Sequence, residues 1–167
     1  MNDRPLDMMI GPSTTENMDA LTEQLAKCMA GVRINAPEWE SGKFGCLPLA
    51  LEDDDLKIAT LNSLRTNKRL NEPDAVHPDI KDDTKQTDLL RLTKIEDERW
   101  TAFHIQEAAT EIGVAMLVAN VEDQYLVELN EQYVGFRNQT TRTILTHLTK
   151  TWVKVQNHEK VESTNAF

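Results

Sequence analysis

The sequence predicts a mainly α protein, with an irregular N-terminal region followed by a small helical bundle of about four helices. Three observations point there. Apolar residues recur at three- and four-residue spacing near the N-terminus and throughout the C-terminal half. Prolines and glycines gather between those two regions, where they interrupt any regular element. No run alternates polar and apolar residues opposite a second such run, so a sheet has no evident partners.

The first helix is expected over residues 13–31. Ser13 and Glu16 have capping-box spacing, and Asn17 is a second candidate cap. Met18, Leu21, Leu25, Cys28 and Met29 share one face, and Gly31 suits a C′ position at positive φ. Residues 32–51 carry Pro37, Gly42, Gly45 and Pro48 around Trp39, Phe44 and Leu47. They read as loops with one short extended segment, Lys43 to Leu51. Glu52 to Asp55 then favour a helix N-terminus, and a short helix is expected through Leu56, Ile58, Leu61 and Leu64. Residues 66–86 contain Pro73, Pro78 and many charges but few apolar residues. Such a stretch buries too little surface to offset its ordering entropy, so a linker is expected.

From Thr87 the helical pattern strengthens. Leu89, Leu92, Trp100 and Phe103 form a stripe, with Ile95 at its edge. Asp88 and Arg91, and Lys94 and Glu98, are spaced for pairs on the exposed side. Gly113 is expected to kink or divide this helix. The run Ile112 to Val121 reads as helix or as buried strand, with helix preferred. A short helix around Tyr125, Leu126 and Leu129 and a loop over 130–138 follow. The last helix has Asn138 or Thr140 as cap. Its residues Ile144, Leu145, Leu148, Trp152 and Val155 fall in an arc about 100° wide. The domain reading is therefore an N-terminal helix region (1–31), a loop-rich segment and linker (32–86), a helical domain (87–157) and a disordered tail (158–167).

Charge and composition narrow the function. There are 18 basic and 28 acidic residues in 167, a net charge of −10. Bulk attraction to nucleic acid or an anionic membrane is disfavoured. The last helix nevertheless concentrates Arg142, Lys150 and Lys154 away from its apolar arc. These are the candidate contacts for RNA or an acidic partner, and weak RNA binding is the expectation they carry. The longest apolar stretch falls short of the roughly 20 residues that cross a bilayer, and the N-terminus is not a signal peptide. A cytoplasmic protein without a membrane segment is expected.

No catalytic constellation emerges. Cys28 and Cys46 make neither a CxxC pair nor a zinc pattern, and read as reduced packing thiols. His77, His104, His147 and His158 show no HExxH spacing, and Gly42-Lys43-Phe44-Gly45 is not a phosphate cradle. No cofactor, metal or small-molecule substrate is expected, and the protein is read as a non-enzyme. Self-association or another protein is the expected partner. The candidate anchors of core or interface are Trp100, Phe103, Leu148 and Trp152.

A resemblance gives these expectations a direction. Trp100, then Ala115-Met116-Leu117, Tyr125 to Leu129, Tyr133-Val134-Gly135-Phe136-Arg137-Asn138-Gln139-Thr140-Thr141, Ile144 to Leu148 and Trp152 follow one another in order. With the upstream stretch Gly42 to Leu51, this order resembles the Gag-like N-terminal region of Copia-type retrotransposons. The resemblance spans about residues 40–155 and implies the all-helical first lobe of a capsid-like domain, self-assembling and packaging RNA without catalysis. A second helical lobe and a Cys/His zinc knuckle find no match here, and Trp152 stands where Tyr is usual. A truncated or domesticated copy is thus expected as readily as a working structural protein. Two other readings remain, an acidic helical adaptor for a protein partner and a small enzyme with an unrecognised site.

Overall fold

The computed structural model describes residues 15–151, and these residues form a mainly helical protein. Helix α1 spans Thr15–Ala30, α2 Asp53–Ala59 and α3 Gln86–Asn120. The described part of α4 covers residues 141–151. Short 3-10 turns at Pro37–Gly42, Leu47–Leu49, Asp123–Tyr125 and Val127–Leu129 carry the connections. Among the described residues the only β feature is one isolated bridge, Glu131 to Gly135.

Helix α1 forms where the apolar spacing predicts it. Met18, Leu21, Leu25 and Met29 are buried, together with Ala26. Cys28 lies at the edge of that face, half-buried. Ser13 lies outside the described residues. Gly31 accepts the helix end differently from expectation: its N–H donates to Lys27 O at 3.3 Å and Cys28 O at 3.2 Å, but its φ is not positive. The left-handed turn comes later, at Glu40, Ser41 and Gly42 (φ 56°, 50° and 75°).

That turn reverses the chain tightly. A Cβ on Gly42 would stand 1.5 Å from Ile34 O, and one on Gly45 2.4 Å from Ala30 O. Glycine is required at both by close backbone approach as well as by φ. The reversal drives Trp39, Cys46, Leu47 and Leu49 into the core. The extended segment expected over Lys43–Leu51 is instead a series of tight turns, in which the N–H groups of Lys43, Gly45, Leu47, Leu49 and Ala50 are satisfied three residues back, as from Leu49 N to Cys46 O at 2.9 Å.

Helix α2 stops at Ala59, before Leu61. Thr60 explains the stop. Its hydroxyl donates to Leu56 O at 2.7 Å and accepts from Leu64 N at 3.0 Å, closing a loop in which Leu61 and Asn62 take positive φ. Leu56 and Leu64 are buried as expected, while Ile58 and Leu61 are 75% and 88% exposed.

The spine is α3, an unbroken helix of 35 residues, roughly 50 Å long. Residues 112–120 belong to it, so the strand alternative is excluded. Gly113 does not divide it. Instead it lets α1 and α4 approach: a Cβ there would meet Met29 Cε at 2.4 Å and Thr141 Cγ2 at 2.5 Å. The buried face of α3 is also not the expected aromatic stripe. It comprises Leu92, Glu96, Ala102, Gln106, Ala109, Thr110, Gly113, Val114 and Leu117. Small and polar residues dominate because neighbouring chain packs close and supplies hydrogen-bond partners.

One core joins α1, the 34–50 turns, α2, α3 and α4. Within the stretch 66–86, residues 69–74 are held against α3 by hydrogen bonds. Leu70 N–H donates to Gln106 Oε1 at 2.6 Å, and Gln106 Nε2 donates to Leu70 O at 3.1 Å. Arg69 pairs with Glu107 and donates to Thr110 at 3.1 Å. Polar bonds to a buried amide thus replace the apolar burial that this stretch lacks.

Two 3-10 turns stand where a short helix around Tyr125 was expected, with Leu126 buried between them. Thr140 is the cap of α4. Its hydroxyl accepts from Thr143 N at 3.2 Å, while its own N–H donates to Thr143 Oγ1 at 2.8 Å. Asn138 is occupied elsewhere, with Glu131.

Candidate functional site

The fold leaves two large concavities. The first is a groove of ≈ 690 Å³ between α1, the start of α2 and α4. Met18, Ala26, Leu47, Leu51 and Leu145 give it an apolar floor, and Lys27, Glu52 and Asp55 charge its margin. Arg142 closes one end, donating to Ala50 O at 3.2 Å and pairing with Glu52. The second cavity, ≈ 630 Å³, lies between the Pro37–Gly42 turn, the extended stretch 66–74 and the first half of α3. Trp39 and Glu96 line it.

Of the sequence-predicted residues within the described part of the chain, Arg142 alone borders one of these two spaces. Trp100 and Phe103 lie outside the core cluster. They form a surface group with His104, edge to face at 6.0 Å between Trp100 and Phe103, and stacked at 5.5 Å between Trp100 and His104. The Trp100 indole N–H donates to Asp74 O at 2.9 Å, so this Trp fastens the 66–86 stretch to α3. Leu148 is a core residue with no exposure at all. Trp152 and Lys154 lie outside the described residues. Lys150 is exposed. Arg142 is engaged within the chain, as above, because it sits on the first turn of α4 opposite the acidic start of α2. His147 is likewise drawn inward, its Nε2 2.9 Å from Tyr125 O. The basic face expected on α4 is therefore reduced, among the described residues, to Lys150.

Two residues that matter here escape a periodicity search. Trp39 is 2% exposed, and its indole N–H donates to Lys68 O at 3.2 Å. Its position in a proline-containing turn hides it, since helical spacing cannot flag a residue buried by a chain reversal. Glu96 is 4% exposed on α3. Nothing in its neighbourhood of charged residues distinguishes it from a solvated carboxylate.

Burial pushes the Cys46 thiol up to about 11. It is a packed, protonated thiol, not a nucleophile poised near neutral pH. Among the described residues no three His, Cys, Asp or Glu side chains are grouped to hold a metal ion. Among them too, no helix is long and apolar enough to cross a membrane.

No protein-family model, curated protein or solved structure matches this chain.

Proposed function

We propose that this protein is a non-enzymatic, Gag-like structural protein, or a remnant of one, that associates with copies of itself. The observation that carries the reading is the exposure of apolar residues in the segment that also carries the resemblance. Tyr133 is 90% exposed, Val127 66% and Val134 43%. Tyr133 and Val134 occupy the short loop closed by the Glu131–Gly135 bridge, with Gly135 at φ +62°. Tyrosine is well suited to anchor an interface, since it buries a large area with few torsions to freeze. The reading assigns the protein to the cytoplasm and gives RNA contact, where it occurs, to Lys150 and Lys154 rather than Arg142.

Sedimentation equilibrium on the full chain over a wide concentration range tests it. The wild type is expected to gain apparent mass with concentration. Tyr133→Asp combined with Val134→Asp is expected to remain monomeric with an unchanged circular-dichroism spectrum, both side chains being outside the core. A wild type that stays monomeric up to about 1 mM would overturn the proposal.

The apolar groove between α1 and α4 favours a second reading, a helical adaptor whose partner lays an amphipathic helix there. Substitution of Leu51 to Lys in the groove separates the two, since it leaves the 131–135 loop intact.

A further inference from the structure

The large apolar side chains left in solvent are unevenly placed. Among the described residues Val76, Leu90 and Ile112 are each the one such residue in their stretch of chain, which is ordinary for a folded protein. Two pairs break the pattern. One is Tyr133 and Val134 on the loop described above. The other is Ile58 and Leu61, 75% and 88% exposed, at the corner where α2 ends.

Hydrogen bonds close that corner. Leu61 N–H donates to Ile58 O at 3.3 Å and Asn62 N–H to Lys57 O at 2.7 Å, while the Thr60 hydroxyl links Leu56 O to Leu64 N. Leu61 stands at φ 51°. Glycine or asparagine takes that conformation more cheaply than leucine. An exposed leucine gains no burial within the chain to offset the cost, so the corner is an apolar surface with no use inside the fold.

Charge separates the ways in which two copies can meet. Asp55 precedes Ile58 by three residues and shares its face of α2. It is exposed and in no ion pair among the described residues, whereas Asp54 is taken by Lys57 at 2.9 Å. On the loop, Arg137 N–H donates to Val134 O at 3.3 Å, which sets Arg137 beside the apolar pair. Arg137 is also exposed and in no ion pair among the described residues. Two loops face to face would oppose Arg137 to Arg137, and two corners Asp55 to Asp55, like charges in both cases. A loop on a corner opposes Arg137 to Asp55 and covers both apolar pairs at once. Each copy carries a net charge of −10, so contact between copies depends on such local opposite charge.

We propose that the 131–137 loop of one copy docks on the Ile58–Leu61 corner of a second copy, with Arg137 paired to Asp55. This rests on the self-association proposed above and names the surface that receives the loop. Donor and receiver are different surfaces, so copies joined this way extend into chains or close into rings. The contact is small beside the roughly 800 Å² per partner of a stable interface. A single contact is therefore weak, and an assembly holds by having many.

Sedimentation equilibrium on full-length variants tests it. Ile58→Asp with Leu61→Asn, the asparagine suiting the positive φ, is expected to weaken association by about tenfold or more, as is Tyr133→Asp with Val134→Asp. Mixed in equal amounts, these two variants are expected to form a dimer and go no further, because one retains only the corner and the other only the loop. Arg137→Asp is expected to weaken association by about threefold or more, and adding Asp55→Arg to recover it. That charge exchange decides the matter should the corner variant fail to fold. A wild type that stays monomeric overturns the self-association reading and this inference with it. A wild type that associates while the corner variant associates equally well, or while the mixture stays monomeric, overturns this inference alone.

Discussion

Gly113→Ala sets two effects of similar size against each other. Alanine in a helix interior is favoured over glycine by about 1 kcal/mol, so an exposed site would be stabilised. Here the new methyl would lie 2.4 Å from Met29 Cε and 2.5 Å from Thr141 Cγ2. Met29 contributes the far end of a flexible side chain, which can swing away cheaply. Thr141 cannot. It is β-branched, it is 1% exposed, and its hydroxyl donates to Leu49 O. Overpacking of this kind costs about 1–3 kcal/mol. The net expectation is destabilisation of about 1 kcal/mol, seen as a fall in Tm of roughly 2–4 °C. Thermal unfolding followed by circular dichroism measures it. Thr141→Ser supplies the control, since it removes the clashing Cγ2 but keeps the hydroxyl. In that background Gly113→Ala should cost less by about 1 kcal/mol. A Gly113→Ala variant as stable as wild type, or a cost unchanged by Thr141→Ser, would refute the close approach of the three helices at this point.

Two further substitutions probe how the irregular regions are held. Gln106→Ala removes both bonds to the Leu70 backbone and should cost about 1–3 kcal/mol. Its signature is faster tryptic cleavage at Arg65, Lys68 or Arg69, and an unchanged cleavage rate would contradict the anchoring role. Cys46, with no exposure, should resist a thiol reagent in the folded protein while Cys28 reacts, both reacting once the chain unfolds. Because burial pushes the Cys46 thiol from 9.0 up to about 11, its contribution to stability is complete below pH ~9. It is lost as pH rises toward the folded value, since the unfolded chain releases the proton first. Stability should therefore fall by up to about 2–3 kcal/mol across that range. Cys46→Ala should flatten the slope, and a slope that persists would assign it to another group.

The elements that follow from one repeating signal were legible. The apolar spacing of Met18, Leu21, Leu25 and Met29, and of Ile144, Leu145 and Leu148, located α1 and α4 and named residues that are in fact buried. Helix α3 was legible as a helix but not in its orientation. Leu89, Trp100 and Phe103 outshine Gln106, Thr110 and Gly113 in any hydrophobic reading, yet the latter face the core. The reason is that what packs on α3 is largely backbone, at Leu70, and other helices at van der Waals distance. Such surfaces select amides, hydroxyls and hydrogen atoms rather than large side chains. The same cause hid the ordering of 66–74. Composition measures the apolar area a segment brings, not the hydrogen bonds a distant glutamine offers it. The candidate cavity was illegible for a related reason, since its walls come from a turn, an extended stretch and a helix far apart in sequence.

These observations also divide the segments that carry the resemblance into what folding explains and what it leaves over. Thr140 caps α4, and Thr141 reaches Leu49 O across 92 residues. Arg142, beside them, reaches Ala50 O and Glu52 across 92 and 90. The Gly42–Leu51 stretch and the stretch leading into α4 are thus the two sides of one clamp. Phe136 packs against the core, and Gly135 permits the turn. Each of these residues has an intramolecular reason to be what it is. Tyr133 and Val134 have none: they lie outward on a closed loop, where a polar residue would serve the fold as well. Tyr133 is 90% exposed and Val134 43%, so the fold draws little from either side chain. Under the self-association proposed above, that loop is where another copy of the chain would dock, and Tyr133 would be its largest contact.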